Sequence, residues 1–131
     1  MEELRALGEE EVNAAGSASR YGRFWLKMYE DYKNNGTDKL FFNAGSVIVI
    51  ASGFTQAGLI AAAHMETMIY SLGLGMVYSG FTTRAIARSK KLQEYIGLKE
   101  GYEVYTVLVL GEPDVKYLRT VPRKKADIRW N

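Results

Sequence analysis

The sequence predicts an α+β sandwich, in which helices flank a small central sheet. Two β-branched runs, Gly45–Ala51 and Tyr102–Leu110, are typical of buried strands. Between them, apolar residues recur with a helical period from Thr55 or Gln56 to about Leu72. Because helices and buried strands alternate along the chain, we expect the helices to cover the sheet.

Composition limits the kind of protein. A chain of 131 residues with 47% hydrophobic content suits one domain. The net charge of +2 indicates neither nucleic acid nor a membrane surface as a partner. No cysteine is present, which excludes disulfides and cysteine-ligated metal centres supplied by this chain. No leader or long uninterrupted apolar span is recognised, so a cytoplasmic location is expected.

Two helical segments are predicted at the start. Glu2–Ala15 favours helix but contains Gly8 and few large apolar residues, which predicts short turns on the surface. Ser19 is a suitable N-cap for a second helix, which Asn34-Asn35-Gly36 would end. One face of this helix gathers large side chains, which favours a core role and leaves a ligand-facing role open: Tyr21, Phe24, Trp25, Met28, Tyr29 and Tyr32.

The middle of the chain supplies the centre of the fold. Gly45–Ala51 is predicted to lie in the middle of the sheet, since it is a short β-branched run bounded by turn residues. The following helix carries small residues at Ala61–Ala63, which would let a second copy of the helix approach across a twofold axis. Its core face is predicted to hold Ala61, Met65, Met68, Ile69 and Leu72.

The last third predicts one helix, one strand and an arm. Thr82 or Thr83 is expected to cap a helix that runs through Ile96 and is closed by Gly97. The arginines and lysines of this helix are interpreted as solvated charge, unless one of them points to a cleft. The Tyr102–Leu110 strand ends at Gly111-Glu112-Pro113. After Pro113 no helical period remains, which predicts an extended arm.

The glycines between the central helix and the next one suggest a ligand site. Gly73 can end the helix in the left-handed conformation, and Gly75 and Gly80 let backbone approach a flat ligand. The stretch Ala63–Phe81 that contains them resembles the flavin-contacting loop of the FMN-dependent nitroreductase family. Three further segments resemble that family in order and spacing: Thr37–Ile50, Glu103–Pro113 and Val121–Lys125.

The resemblance implies an FMN site built from backbone and tail cations. In the family loop, the residues matching Val77, Tyr78, Ser79 and Gly80 lie along the isoalloxazine, with the Ser79 amide near N5. The tail arginine matching Arg123 pairs with the FMN phosphate, and Arg119 and Lys124 are further candidates. FMN carries the chemistry, so no catalytic side chain and no metal ligand is predicted.

The resemblance also implies substrates and partners. NAD(P)H is the expected electron donor, and nitroaromatics, quinones or similar flat molecules are the expected acceptors. Phe24, Trp25 and Tyr29 would line the substrate pocket. A homodimer is expected through the 56–72 helix and the C-terminal arm, and no nucleic acid or membrane partner is expected.

One family motif has no counterpart in this sequence. The family's N-terminal segment carries Arg-Arg-Ser-x-Arg, which holds the FMN phosphate, so residues 1–131 are interpreted as a single nitroreductase-like domain without that segment. Three explanations stay open: a piece of a longer protein, a site completed by a dimer partner, or a relative without tight FMN binding. The alternative function is a truncated, non-catalytic dimeric scaffold or protein-interaction module.

Overall fold

The computed structural model describes residues 1–15, 19–116, 118, 122 and 124–130. In this part of the chain it shows α1 (Glu2–Ala15), α2 (Arg20–Asn35), β1 (Ser46–Ser52), α3 (Thr55–Ser71), β2 (Gly75–Tyr78), α4 (Gly80–Arg88), α5 (Lys90–Tyr95) and β3 (Glu103–Gly111).

The three strands form an antiparallel sheet in the order β1-β3-β2. In β3, Val107 and Leu108 are completely buried, because the strand has neighbours on both edges and helices on both faces. The predicted α+β architecture is confirmed. The predicted central position of β1 is wrong, since among the described strands β1 lies at an edge. An apolar run indicates burial on both faces of a sheet, but it does not reveal which strands pair with it.

The first helix differs from the prediction. α1 is continuous, and its Leu4 and Leu7 belong to the core. Gly8 does not interrupt it but lets α2 come close: a Cβ atom at Gly8 would lie 3.0 Å from the carbonyl oxygen of Gly22. Gly8 is therefore a helix-packing position rather than a break, which the sequence of α1 alone could not indicate.

The second helix begins and ends as predicted. Ser19 Oγ accepts a hydrogen bond from the amide of Gly22 at 3.1 Å, and Gly36 closes the helix with φ of +67°. Its Trp25 side chain has 0% exposure and packs with Leu4 and Ala85 in a core cluster on one side of the sheet.

The predicted span of α3 is confirmed, and its predicted core face is correct in part. Ile69 is buried in the second core cluster and Ala61 packs against it, as predicted. Ala62 is buried there as well, whereas Met65, Met68 and Leu72 are exposed. Since α3 is apolar around most of its circumference, periodicity could not select the face. One side of α3 thus covers the sheet, and its other side carries large apolar side chains that are exposed.

The region after β2 holds two helices instead of the predicted one. Ser79 caps α4, and Ser89 ends α4 and caps α5 by accepting a hydrogen bond from the amide of Leu92 at 3.2 Å. The Ser89 hydroxyl also donates to the Glu3 carboxylate at 2.6 Å, which ties this break to α1.

The described part of the chain after β3 is an arm, as predicted. The described residues beyond Gly111 form neither helix nor strand, and Leu118 and Trp130 are almost fully exposed. Across the part of the chain that is described, the helices are too short or too polar to cross a membrane.

Candidate functional site

Strand β2 is an edge strand with an open side. It pairs only with β3 among the described strands, and its register places Val77 opposite Val109 and Tyr78 opposite Leu108. Val77 is 50% exposed and Tyr78 is 45% exposed. An unpaired edge presents a row of backbone donors and acceptors, so β2 offers a ready surface for another group.

The hydrogen bond that follows β2 shows which of these amides point away from β3. The Ser79 amide donates to the Val107 carbonyl oxygen at 2.8 Å. In an antiparallel ladder, residues alternate between facing the partner strand and facing away. Val77 therefore faces β3, as Ser79 does, whereas the amides of Met76 and Tyr78 point to the open side.

The predicted role of the Ser79 amide beside flavin N5 is thus wrong. This amide is already bonded to β3, and the Ser79 side chain is buried as the cap of α4, where its Oγ lies 2.7 Å from Thr82 Oγ1. The donor on the open side is the neighbouring amide of Tyr78. A shift of one residue reverses the direction of a strand amide, and the pairing with β3 sets that direction.

The turn into α4 is fixed to the sheet. Thr83 Oγ1 donates to the Ser79 carbonyl oxygen at 2.9 Å and accepts from the Val107 amide at 3.1 Å. Gly80 is the first residue of α4 and is exposed, and the helix itself supplies no acceptor for its amide. The loop that was predicted to touch the cofactor is therefore fixed to the sheet, with the amides of Met76 and Tyr78 directed away from β3.

An open cavity of about 550 Å³ adjoins this loop. Tyr78 and Gly80 line it, and so do the ring of Tyr21 from α2 and the side chains of Phe81 and Arg84 from α4. The Tyr21 and Phe81 ring centroids lie 5.8 Å apart in an edge-on arrangement. Aromatic walls beside free backbone amides suit a flat, partly polar ligand.

The Tyr78 hydroxyl is held on the α3 side of the sheet. It donates to Glu66 Oε2 at 2.8 Å. Burial raises the pKa of the Tyr78 phenol above its ordinary value, and the hydrogen bond and negative charge of Glu66 raise it further. Tyr78 therefore stays protonated at neutral pH, and its hydroxyl serves as a donor rather than a base.

The three predicted pocket aromatics do not lie together. Trp25 is completely buried in the core, so its predicted place in the substrate pocket is wrong. Tyr29 lies against α1, where its hydroxyl donates to Glu2 at 3.0 Å, and its predicted place in the pocket is wrong too. Phe24 alone lies near the cavity, with its ring centroid 5.4 Å from that of Phe81.

The predicted phosphate-binding residues lie in the arm. Arg119 and Arg123 fall outside the described residues. Lys124 is described and exposed. Within the described ranges, no group of three His, Cys, Asp or Glu side chains could hold a metal ion.

Sequence reasoning missed Tyr21 and Phe81 as cavity residues. For Arg84 it leaves two interpretations open, solvated charge or a cation that points to a cleft, and the structure shows that Arg84 lines the cavity. Arg84 follows Gly80 by four residues and therefore shares its face of a helix. That spacing was visible in the sequence. The contribution of Tyr21 was not, because it depends on how α2 packs near α4.

The described residues fit the ring system of a flavin. A flavin ring combines a flat apolar face with polar edges. The site offers an outward amide at Tyr78 beside aromatic walls and a second outward amide at Met76, farther along β2. Gly80 provides an exposed position without a side chain, where a Cβ atom would meet no other atom within 4 Å. The loop therefore fits a flat polar ring.

Solved structures show where this fold occurs. A nitroreductase with bound FMN from Desulfitobacterium hafniense DCB-2 superposes with a TM-score of 0.63 and 24% identity, over 98% of this chain and 70% of that one. A nitroreductase with bound FMN from Bacteroides fragilis NCTC 9343 superposes with a TM-score of 0.58 and 19% identity, over 97% of this chain and 69% of that one.

Comparisons based on the sequence identify no relative of this chain. No protein-family model matches the chain, and no curated protein matches it. The structural likeness extends over nearly the whole of this chain and includes the helix, the loop and the strands around β2. The chain has a nitroreductase-like fold.

Proposed function

We propose that this protein is an FMN-dependent oxidoreductase of the nitroreductase type. It takes electrons from NAD(P)H and passes them to a flat acceptor such as a nitroaromatic or a quinone. The observation that carries this proposal is the open edge of β2, with outward amides beside an aromatic cavity, in a fold shared with two FMN-bound nitroreductases.

The residues would divide the work of holding FMN. The amides of Met76 and Tyr78 would bond the polar edge of the ring, Val77 would supply apolar contact, and Gly80 would allow close approach. Arg123, with Arg119 and Lys124, would bind the phosphate, since guanidinium and ammonium groups make charge-assisted bonds to it. Bound FMN would supply the hydride and electron transfer between donor and acceptor.

A visible absorption spectrum tests the proposal. The purified protein, with its intact mass verified, is mixed with FMN and desalted. We expect it to retain flavin absorbance and then to oxidise NADH or NADPH in the presence of a nitroaromatic or a quinone. Riboflavin, which lacks the phosphate, is the matched control and should be retained less. Protein that retains no FMN at any concentration would contradict the proposal.

We also propose that a second copy of the chain covers the exposed face of α3. Ile60, Met68 and Leu72 are each more than half exposed there, and soluble monomers rarely expose contiguous apolar patches of large size. Ala62 faces the sheet, but Ala63 on the same helix is exposed and small, which would allow two backbones to approach. The C-terminal arm would cross to the partner, which would cover Ile128 and Trp130.

Ile60→Glu tests this assembly. Ile60 is exposed in the single chain, so the change leaves the core intact and places a charge in the proposed interface. We expect sedimentation equilibrium to give twice the chain mass for the unchanged protein and a mostly monomeric mass for the variant. Tyr95→Glu, at an exposed position on α5, is the control and should not change the mass. A monomeric unchanged protein would contradict the dimer.

The alternative function is a truncated, non-catalytic dimeric scaffold or protein-interaction module. The exposed apolar face of α3 favours it, since that face serves assembly whether or not FMN binds. The two functions differ in the FMN experiment. A dimer that retains no flavin would favour the scaffold, and a dimer that retains flavin and oxidises NAD(P)H would favour the oxidoreductase. A cytoplasmic location belongs to either proposal.

A further inference from the structure

Arg84 is a cation at the aromatic cavity beside β2. Its guanidinium lies 4.2 Å from the centroid of the Tyr21 ring, which fixes its position through a cation–π contact. The side chain lines the cavity and is 41% exposed. Arg84 is therefore both held in place and accessible to a ligand.

The hydrogen-bonding capacity of Arg84 is largely unused in the described structure. A guanidinium carries five N–H donors, and here Nη2 makes one long contact of 3.5 Å with Glu11 Oε1. The same oxygen also pairs with Arg88, while Ser19 donates to the other carboxylate oxygen. The Nε atom of Arg84 is buried and has no hydrogen-bond partner among the described residues.

The charges of this cluster do not cancel. Arg84 and Arg88 share the single carboxylate of Glu11, so the group retains one positive charge. The Glu66 carboxylate keeps its negative charge, but it lies on the α3 side of the sheet, where it accepts a hydrogen bond from the Tyr78 hydroxyl, and it does not line the cavity. A cavity with aromatic walls and a surplus cation favours a ring that bears an anionic oxygen.

We propose that the cavity binds flat aromatic carboxylates, with Arg84 as the group that selects the anion. The ring would lie against Tyr21 and Phe81, and the carboxylate would accept hydrogen bonds from Arg84. Because Tyr78 and Gly80 line the same cavity, the bound ring would adjoin the proposed flavin surface. The inference that such a molecule is the electron acceptor rests on the proposed function. Its binding to the cavity does not depend on that function.

The test compares two probes that differ in charge. The affinities of 4-nitrobenzoate and neutral 4-nitrobenzamide are measured by equilibrium dialysis without added flavin. We expect the protein to bind the carboxylate at least about tenfold more tightly, because charge-assisted hydrogen bonds are stronger than neutral ones. Arg84→Gln should reduce this preference to about twofold or less. Equal binding of the two probes by the unchanged protein would overturn the proposal.

Arg88→Gln is the matched control. Arg88 pairs with the same oxygen of Glu11 but does not line the cavity. Its loss removes the surplus charge but keeps the guanidinium that would contact the carboxylate, so the preference should fall less than in Arg84→Gln. A loss of preference in Arg88→Gln equal to that in Arg84→Gln would overturn the assignment to Arg84. If Arg84→Gln does not fold, the Arg84 Nη–H resonances of the unchanged protein decide, because Nε is buried. They should shift with 4-nitrobenzoate and not with the amide, and the absence of a shift would overturn the proposal.

Competition separates this site from a cofactor phosphate site. FMN is expected to leave 4-nitrobenzoate binding unchanged or to strengthen it. Competition by FMN but not by riboflavin would overturn the proposal and assign Arg84 to the phosphate. If the protein prefers the carboxylate but retains no FMN, the result would support the proposed binding site and contradict the proposed oxidoreductase function.

Discussion

Replacing Trp25 by alanine is expected to lower the free energy of unfolding by about 3–5 kcal/mol. The side chain is completely buried among residues of α1, α2 and α4, so its removal leaves a cavity where three helices meet. Small domains have a total stability of about 5–15 kcal/mol, so this loss is a large fraction of the whole. Urea unfolding followed by far-UV circular dichroism measures it.

Two control variants show what Trp25 does. Trp25→Phe should lower the free energy of unfolding by less than Trp25→Ala does. It keeps an aromatic ring and removes an indole N–H that has no acceptor among the described residues. Trp130→Ala, at an exposed position, should change the stability of the isolated chain by no more than about 0.5 kcal/mol. A Trp25→Ala protein of unchanged stability but altered acceptor affinity would contradict the core position and restore the pocket role.

Replacing Tyr78 by proline is expected to weaken FMN binding about tenfold relative to Tyr78→Ala, since the loss of a hydrogen bond to a buried group costs about 1–3 kcal/mol. Both variants lose the ring and its bond to Glu66, but only proline also loses the outward amide. Proline is tolerated on an edge strand where the missing N–H does not face the partner strand. Titration of flavin fluorescence measures both affinities.

The comparison depends on an intact sheet. Thermal unfolding should show that Tyr78→Pro and Tyr78→Ala have similar stability, because the Tyr78 amide makes no bond to β3. Equal FMN affinity of the two folded variants would show that the Tyr78 amide does not contact the ring.

Features fixed by neighbouring residues could be predicted from the sequence. The Ser19 cap, the end of α2 at Gly36, the span of α3 and the strand β3 all follow from patterns within a few residues. The glycine loop before α4 was also visible, since a run of glycines indicates close backbone approach.

Features fixed by contacts between residues distant in the sequence could not be predicted. Gly8 in α1 gave the appearance of a helix break because its partner Gly22 lies in another helix. The choice between the Ser79 and Tyr78 amides depends on the pairing of β2 with β3, which is remote in sequence. Trp25 and Phe24 are adjacent on one amphipathic helix, and only packing shows that the first is core and the second lies near the cavity.

Amide hydrogen exchange, resolved by NMR with and without FMN, tests the proposed flavin site most directly. Without FMN, the amide of Ser79 should exchange slowly, because it is bonded to Val107, whereas the amide of Tyr78 should exchange rapidly. We expect FMN to slow exchange at Tyr78 and to leave Ser79 unchanged. Unchanged exchange at Tyr78 in a sample that demonstrably holds FMN would contradict the placement of the flavin along the open edge of β2.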